Sequence, residues 1–412
     1  MNKLTQLIVV LFFFIFSLTG CEQKQDDGII TLTMAMYTPG GGHQKTMDEI
    51  IERFHQHHPN IRVQYELSGF DSYFTKIKTQ AASGTLPDLF ELNFENFAMF
   101  SHGGVLLDLS DYAQKDGISS EVMLGDNFNN FVYQDRLYAL TSKVSTVLTF
   151  YNKELFERHG LAYPDEHWTW DDEISMGQAI TDGRVYGSYA PVTFNEMYKV
   201  IAQNGGRFFD EDGNPDIDSE QNIEAVKYMI DKVLEYRIQP SPGVMSGQSP
   251  EDMFMNGEIA MLSTGTWMFG LFEQADFEWD VVPNAVHTHN AQHVFADAIA
   301  ASNRTNHPEA AWQFIKFFTS SPEVAELRVQ RNWDLAALDN ETSRTQFLEQ
   351  KTPANRQAVF TALDHGVMPP LTPRFVQLAD IIDRELSLVL LGKKNVDEAL
   401  SQAQQEMSNI VG

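Results

Sequence analysis

Residues 29–37 read IITLTMAMY and run directly into TPGGG at 38–42. This β-rich run is followed by a segment with helical spacing of apolar residues and by an alternating strand over 61–67. A second helical segment spans 73–81, and the apolar strand LFEL occupies 89–92. Strands that alternate with helices in this order pair in parallel through right-handed crossovers. The stretch therefore predicts an α/β fold.

Polar residues follow the first and third of these strands. Parallel sheets of this kind bind ligands beyond the carboxyl ends of their strands. Tyr37 ends the first strand, and Asn93, Glu95 and Asn96 follow the third. These four residues are candidate ligand-binding residues, although the last three are equally typical of a cap on the helix that follows. The glycines at 40–42 do not form a phosphate-binding loop, because no Gly-Lys-Ser/Thr follows them.

The amino terminus has the pattern of an export signal. Lys3 precedes an apolar stretch at 7–16, and Leu18-Thr19-Gly20-Cys21 follows. This ending resembles the bacterial lipobox, in which the cysteine is lipidated. The pattern predicts a lipoprotein signal peptide over 1–20, lipidation at Cys21 and a lipidated tether over 21–28. The alternative is a transmembrane helix, but the apolar stretch is shorter than the ~20 residues that a span requires.

Composition limits the classes of protein that fit. A chain of 412 residues is long enough for two domains. Its net charge of −28 argues against nucleic acid as a partner. Cys21 is the only cysteine, which excludes disulfides and cysteine-based metal sites or nucleophiles from the folded part. No cofactor and no metal site are predicted, and His55-Gln56-His57-His58 is interpreted as a solvated helix end.

Further elements follow along the chain. The run 144–151 reads as one apolar strand, and Thr169 to Asp172 as a capping box. A clear amphipathic helix begins at Pro308. Thr372-Pro373 predicts an N-cap followed by proline in the first turn of a late helix.

Several stretches together are similar to one known family. They are ASGTLPDL at 82–89, TFYNKELF at 149–156, MFMNGEIAM at 253–261 leading to Thr266-Trp267, HPEAAWQFIKFFTS at 307–320, TPR at 372–374 and VDEAL at 396–400. In this order, across nearly the whole mature chain, they resemble the carbohydrate-type extracellular solute-binding proteins of bacterial ABC importers (extracellular solute-binding protein family 1).

The resemblance implies a two-lobed periplasmic-binding-protein (type II) fold, with hinge-connected lobes that close over an interlobe ligand cleft. The implied ranges are 29–142 plus 292–330 for the N-lobe and 143–291 plus 331–412 for the C-lobe. The implied crossings lie near Thr141–Ser145, His289–Val294 and Asn332–Ala336.

The resemblance also implies ligand-binding residues. Aromatic planes cover the C–H faces of a sugar, while carboxylates and amides bind its hydroxyls. Trp267 lies where relatives stack a sugar ring, the alternative being a core tryptophan. The small residues 264–266 would let a ligand approach the backbone. Further candidates are Ser145 at a crossing, Asn195, Asp297 and Arg374, the last with a surface role as the alternative.

The resulting expectation is a lipid-anchored receptor on the extracytoplasmic face of the bacterial cell membrane. It would bind a carbohydrate, a mono- or small oligosaccharide, and deliver it to the membrane subunits of an ABC importer. We expect a monomer and no enzyme activity. The late helix lacks a tryptophan near 374–382, which favours a short sugar. Two alternatives stay open: a receptor for a metal or peptide, and a surface-anchored glycoside hydrolase, which needs only two carboxylates across a cleft.

Overall fold

The computed structural model describes residues 28–38, 43–124 and 127–411. The predicted signal peptide, the lipidation site Cys21 and the glycines at 40–42 lie outside the described residues.

The described strands and helices alternate along most of the chain. The strands are β1 (Ile30–Tyr37), β2 (Ile61–Ser68), β3 (Leu89–Asn93), β4 (Val132–Tyr133), β5 (Arg136–Leu137), β6 (Ala139–Ser145), β7 (Val147–Asn152), β8 (Tyr186–Tyr189), β9 (Ile259–Gly265), β10 (Trp279–Pro283), β11 (Gln292–His293), β12 (Phe295–Ala301), β13 (Leu335–Ala336) and β14 (Gly366–Val367). The helices are α1 (Gln44–His57), α2 (Phe70–Ser83), α3 (Phe94–His102), α4 (Ser110–Asp116), α5 (Lys153–His159), α6 (Trp170–Ile180), α7 (Phe194–Gln203), α8 (Glu220–Leu234), α9 (Pro242–Met245), α10 (Pro250–Met255), α11 (Phe269–Phe272), α12 (Pro308–Ser320), α13 (Pro322–Gln330), α14 (Glu341–Leu348), α15 (Gln357–Leu363), α16 (Phe375–Leu390) and α17 (Val396–Val411).

Six of the described strands form a larger sheet in the order β13-β6-β12-β3-β1-β2. β1 pairs in parallel with β2 and with β3, which confirms the pairing predicted from the first stretch of sequence. β12 is antiparallel to both β3 and β6. Helix α1 covers this sheet with Met47, Ile50 and Phe54, all fully buried. Burying each of these side chains contributes about 1.5–3 kcal/mol.

A smaller sheet takes four described strands in the order β10-β7-β9-β8. β7 is antiparallel to β9 and to β10, whereas β8 and β9 are parallel. Helix α6, packed against this sheet, begins with the predicted capping box, because the side chains of Thr169 and Asp172 each accept from the other residue's backbone N–H.

The prediction of one strand over 144–151 is wrong. The chain leaves the larger sheet after Ser145 and enters the smaller sheet at Val147. Thr146 makes this change of sheet possible, because its buried hydroxyl donates to the carbonyl of His293 at 2.6 Å. Its carbonyl accepts from the N–H of Thr266 at 3.1 Å. The sequence shows no sign of this break, because both strands are buried and their residues are therefore similarly apolar.

Two segments of the larger sheet overlap the predicted crossings. β6 stays in this sheet to Ser145, and β13 also belongs to it. Arg328 holds the second segment, because its guanidinium donates to both carboxylate oxygens of Asp334 at 2.7 Å and to the carbonyl of Ser142 at 2.8 Å. The predicted lobe ranges stay a prediction.

No helix among the described residues is long and apolar enough to cross a membrane.

Replacing Arg328 by Ala should destabilise the protein strongly. The Arg328 side chain is 1% exposed and that of Asp334 is 12% exposed, so the variant leaves a poorly hydrated carboxylate without its partner. We expect a loss of about 3–5 kcal/mol in the free energy of unfolding, measured by urea denaturation. The matched control is Arg136→Ala, which breaks the exposed pair with Asp108 and should cost about 0–1 kcal/mol. Equal losses in the two variants would contradict the structural role of Arg328.

Candidate functional site

A cavity of about 430 Å³ lies where the two sheets meet. Strand register explains which residues reach it. β1 and β3 are parallel and end at Tyr37 and Asn93 on the same edge. Antiparallel β12 begins at this edge, so Asp297 pairs with Asn93 and with Lys143, near the end of β6. Phe295 pairs with Ser145, two residues further along each strand toward the same end of the sheet. Four strands thus deliver polar side chains to one end of the sheet.

The ammonium of Lys143 is the centre of this polar group. Its Nζ lies 2.8 Å from Glu91 Oε1 and 3.2 Å from Asp297 Oδ2. The same Nζ lies 5.0 Å from the ring centroid of Tyr37. The hydroxyl of Tyr37 donates to the other oxygen of Asp297, and its backbone N–H donates to Glu91 at 3.2 Å. The network joins β1, β3, β6 and β12 side by side.

These contacts change the acid–base properties of the group. Burial lowers the pKa of Lys143, but the carboxylates of Glu91, Asp297 and Asp334 outweigh it and raise that pKa above its ordinary value. Burial, with the neighbouring carboxylates, raises the pKa of Tyr37 well above its usual range. Lys143 is therefore charged and Tyr37 neutral at physiological pH.

Glu95 lies at the same edge, in the first turn of α3, and lines the cavity. No other described residue forms an ion pair with its carboxylate or donates a hydrogen bond to it. Burial is the main reason that the pKa of Glu95 is raised from 4.5 to about 7. The residue's own backbone N–H donates to the carboxylate and opposes this rise, while the charge of Asp297 adds to it. The carboxylate thus lines the cavity without a partner from another described residue, and it loses its charge as the pH falls through about 7.

The smaller sheet contributes Trp267 from the opposite side. β9 ends at Gly265, which pairs with Val147 at the start of β7, and a short turn then carries Trp267 into the cavity. The indole is 41% exposed and lies edge-on to Phe295, with ring centroids 5.9 Å apart. An aromatic plane left this exposed in a cavity is available for stacking.

Gly265 has a different role from the one predicted. The sequence suggested that small residues at 264–266 leave space for a ligand. In the structure that space is taken by Trp267, since a Cβ on Gly265 would lie 2.1 Å from the indole ring. Glycine is required because the indole packs directly on the backbone.

A third side of the cavity comes from the segment after α13. Trp333 stacks on His43, with ring centroids 5.0 Å apart and planes 9° from parallel. Arg328 lies 5.2 Å from the Trp333 centroid and fixes it from the protein interior. Burial lowers the pKa of His43, so the imidazole is neutral at physiological pH.

Apolar side chains of α11 and α14 also line the cavity. Phe269 and Phe347 line it together with Asn332. Arg356 lies behind the two rings, 5.0 Å and 4.8 Å from their centroids, and is 1% exposed. Its Nη2 donates to the carbonyl of Thr352 at 2.5 Å.

Seven of the nine predicted ligand-binding residues line this cavity. They are Tyr37, Asn93, Glu95, Ser145, Asn195, Trp267 and Asp297. The structure brings together side chains that are up to 260 residues apart in the chain. Their role toward a ligand stays a prediction.

The other two predicted residues lie elsewhere. Asn96 is buried behind Asn93 and donates to its side-chain oxygen at 2.8 Å, because one helical turn separates them. Arg374 is exposed at the start of α16 and does not line the cavity. The helix begins at Phe375, so the predicted N-cap at Thr372 is also wrong.

Sequence reasoning missed other lining residues, above all Lys143, His43 and Trp333. A clue to Lys143 was available, because it is the only charged residue between 139 and 152. A lone lysine in an apolar run predicts a buried ion pair. Nothing comparable marks His43, which directly precedes α1, or Trp333, whose position depends on how the segment after α13 returns to the cavity.

No three His, Cys, Asp or Glu side chains of residues 28–38, 43–124 and 127–411 are grouped to hold a metal ion.

Comparison with known proteins identifies the family. The profile of the bacterial extracellular solute-binding proteins matches residues 40–325, more than half of the chain. The chain belongs to this family. Members are binding proteins of ABC transporters and not enzymes, so the prediction of no enzyme activity is confirmed by family membership. Membership also places this solute-binding protein outside the cytoplasm.

Individual relatives agree in fold and extent. An ABC substrate-binding protein from Listeria monocytogenes, solved in complex with cycloalternan, is 38% identical, has a TM-score of 0.89 and covers 93% of this chain and 99% of its own. An arabinooligosaccharide-binding protein from Halalkalibacterium halodurans is 22% identical over 321 residues, which are 74% of this chain and 70% of the relative. A maltotriose-binding protein from Pyrococcus abyssi is 22% identical over 356 residues, 84% of this chain and 75% of its own. The predicted two-lobed type II fold is confirmed.

Glu95 should make the stability of the solute-binding protein depend on pH. Its folded-state pKa of about 7 exceeds its ordinary value of 4.5, so the folded protein holds this proton more tightly than the unfolded chain. The resulting stabilisation is complete below about pH 4.5 and is lost as the pH rises through about 7. Urea denaturation across this range should show the free energy of unfolding of the wild type falling relative to that of Glu95→Gln. Parallel curves for the two proteins would contradict the raised pKa.

Proposed function

We propose that this protein is a lipid-anchored receptor that binds a small oligosaccharide in the cavity between its two sheets and delivers it to an ABC importer. The observation that carries the proposal is the pairing of two kinds of group across one cavity. Hydroxyl-binding groups, Glu95 and Asp297 among them, come from the larger sheet, and the exposed indole of Trp267 comes from the smaller one. Pyranose rings offer hydroxyls at their edges and C–H groups on their faces, which such a pair complements.

The length of the sugar follows from the aromatic side chains. The late helix indeed brings no tryptophan to the cavity, but His43, Phe70, Trp333 and Phe295 line it in addition to Trp267. This is more stacking surface than the sequence suggested, and it favours an oligosaccharide over a single ring. Among the relatives, two are named as arabinooligosaccharide- and maltotriose-binding proteins and one was solved with cycloalternan, whereas another was solved with the single sugar tagatose.

Closure of the two sheets over the ligand is the proposed mechanism. A ligand that contacts Glu95 and Trp267 at once is bound more tightly when the sheets approach, so binding shifts the population toward the closed form. The hinge would lie where Thr146 bonds His293 and Thr266. Few backbone dihedrals need to change at such a point.

The anchor is proposed at Cys21. Two acyl chains on a lipidated amino-terminal cysteine suffice for stable membrane attachment. The segment 22–28 contains charged and polar residues and would let the folded part reach an importer in the same membrane.

Ligand class is tested first by thermal shift on residues 22–412, with neutral oligosaccharides, peptides and divalent metals as separate panels. A ligand that binds only the folded state raises the melting temperature as its concentration exceeds the Kd. We expect shifts with oligosaccharides, cycloalternan included, and none with the other panels. A shift with metals or peptides alone would replace the carbohydrate assignment.

Two substitutions test the position of the site. Trp267→Ala removes the stacking plane, and Gly265→Ala keeps the indole but forces it from its place. We expect each to weaken oligosaccharide binding about tenfold or more by calorimetry, since stacking and ordered contacts are lost. The control is Tyr163→Ala, which removes another exposed aromatic ring (38% exposed) that does not line the cavity. Unchanged affinity in both site variants would remove Trp267 from the binding site.

The anchor is tested in cells. An alkyne-labelled fatty acid should be incorporated into the wild-type protein and not into Cys21→Ser, which should leave the membrane fraction. The control is Ser17→Ala, which alters the same region but keeps the cysteine. Membrane retention of Cys21→Ser without label would show that another feature anchors the protein.

A further inference from the structure

The side chains that line the cavity include more negatively than positively charged groups. Three carboxylates line it, those of Glu95, Asp297 and Asp334, against the single ammonium of Lys143 within the described residues. Lys143 is already shared by Asp297 and by Glu91, which is 1% exposed. No lining cation is therefore left to pair with an anionic ligand.

The three carboxylates differ in their partners. Both oxygens of Asp334 accept from Arg328, and those of Asp297 accept from Tyr37 and Lys143. Glu95 has no such partner among the described residues. Its charge is the one that acts on the cavity without compensation.

Other charged groups near the cavity do not remove this imbalance. Arg356 is separated from it by the rings of Phe269 and Phe347 and is 1% exposed. His43 is neutral at physiological pH because burial lowers its pKa. Lys199 on α7 is already paired with Glu196 at 2.6 Å. The other titratable groups on the elements around Glu95 are Tyr37, Glu91 and Lys143 on the larger sheet, Tyr198 on α7, His293 beside α7, and Asp380 and Asp383 on α16, which packs against α3.

We infer that the cavity accepts neutral and amine-bearing saccharides and rejects anionic ones such as uronates, and that Glu95 is the residue that sets this preference. A saccharide carboxylate close to Glu95 meets an uncompensated negative charge where little water screens it. A saccharide ammonium in the same place would form the ion pair that Glu95 lacks. The inference rests on the proposed function, since it concerns the class of saccharide.

Titration of Glu95 gives the preference a pH dependence that a purely structural role would not produce. The pKa of Glu95 is raised to about 7 by burial, so its charge is present at pH 8 and mostly absent at pH 5.5. A uronate stays ionised at both pH values, because the ordinary pKa of its carboxyl group is ~3.5. Rejection of the anionic form should therefore be strong at pH 8 and weaker at pH 5.5.

The experiment compares one saccharide in two forms. The neutral oligosaccharide that gives the largest thermal shift is used as such and after oxidation of its primary hydroxyls to carboxylates. Calorimetry at pH 8 and 5.5 then gives the ratio of the two Kd values for the wild type, for Glu95→Gln and for Glu278→Gln. Glu278 is the control, because its side chain is 85% exposed and does not line the cavity.

At pH 8 the oxidised form should bind the wild type and Glu278→Gln about tenfold or more weakly than the neutral form. The ratio of the Kd of the oxidised form to the Kd of the neutral form should fall several-fold in Glu95→Gln at pH 8. It should also fall several-fold in the wild type when the pH is lowered to 5.5. Binding of the two forms within about threefold at pH 8, or the same ratio in all three proteins, would overturn the inference. If Glu95→Gln fails to fold, the wild-type ratio at the two pH values decides the question. Failure of every neutral saccharide to bind is a separate result that overturns the proposed function, and this inference with it.

Discussion

The ammonium of Lys143 lies between two carboxylates that belong to different strands, Glu91 on β3 and Asp297 on β12. Three charged side chains with little access to water are stable only when they remain in contact, because each alone would be poorly hydrated. The requirement fixes the order and register of the strands at the edge where the cavity opens. It also orients Tyr37, whose ring lies against the same ammonium. Both the architecture of the larger sheet and the polar side of the cavity therefore depend on this one network.

Different interactions hold the two sides of the cavity in place. The side formed by the larger sheet is made of strand ends held by ion pairs and hydrogen bonds, and it leaves Glu95 unpaired. The opposite side depends on the packing of Trp267 on a bare stretch of backbone at Gly265. A rigid polar side and an aromatic side on a separate sheet suit a ligand that is polar at its edges and apolar on its faces.

The parts of this arrangement that depend on residues close together in the chain could be predicted from the sequence. Alternating strands and helices in the first hundred residues predicted the parallel β1, β2 and β3, and residues at the ends of β1 and β3 line the cavity. It failed at Thr146, because a buried strand that changes sheets has the same apolar composition as one that does not. It also failed for Asn96, whose amide bonds Asn93, and for Trp333, whose position follows from the Arg328–Asp334 pair. These depend on contacts between distant segments, which a single sequence does not display.

A single residue, Thr146, separates the last residue of β6 from the first residue of β7. With so little chain between them, the ends of the two strands stay close together, and in the proposed closure the sheets rotate about this junction. At the junction itself, the separation of the sheets is set by covalent geometry. Bulky ligands would be limited by the gap that this rotation allows at the entrance, whatever contacts they could make inside.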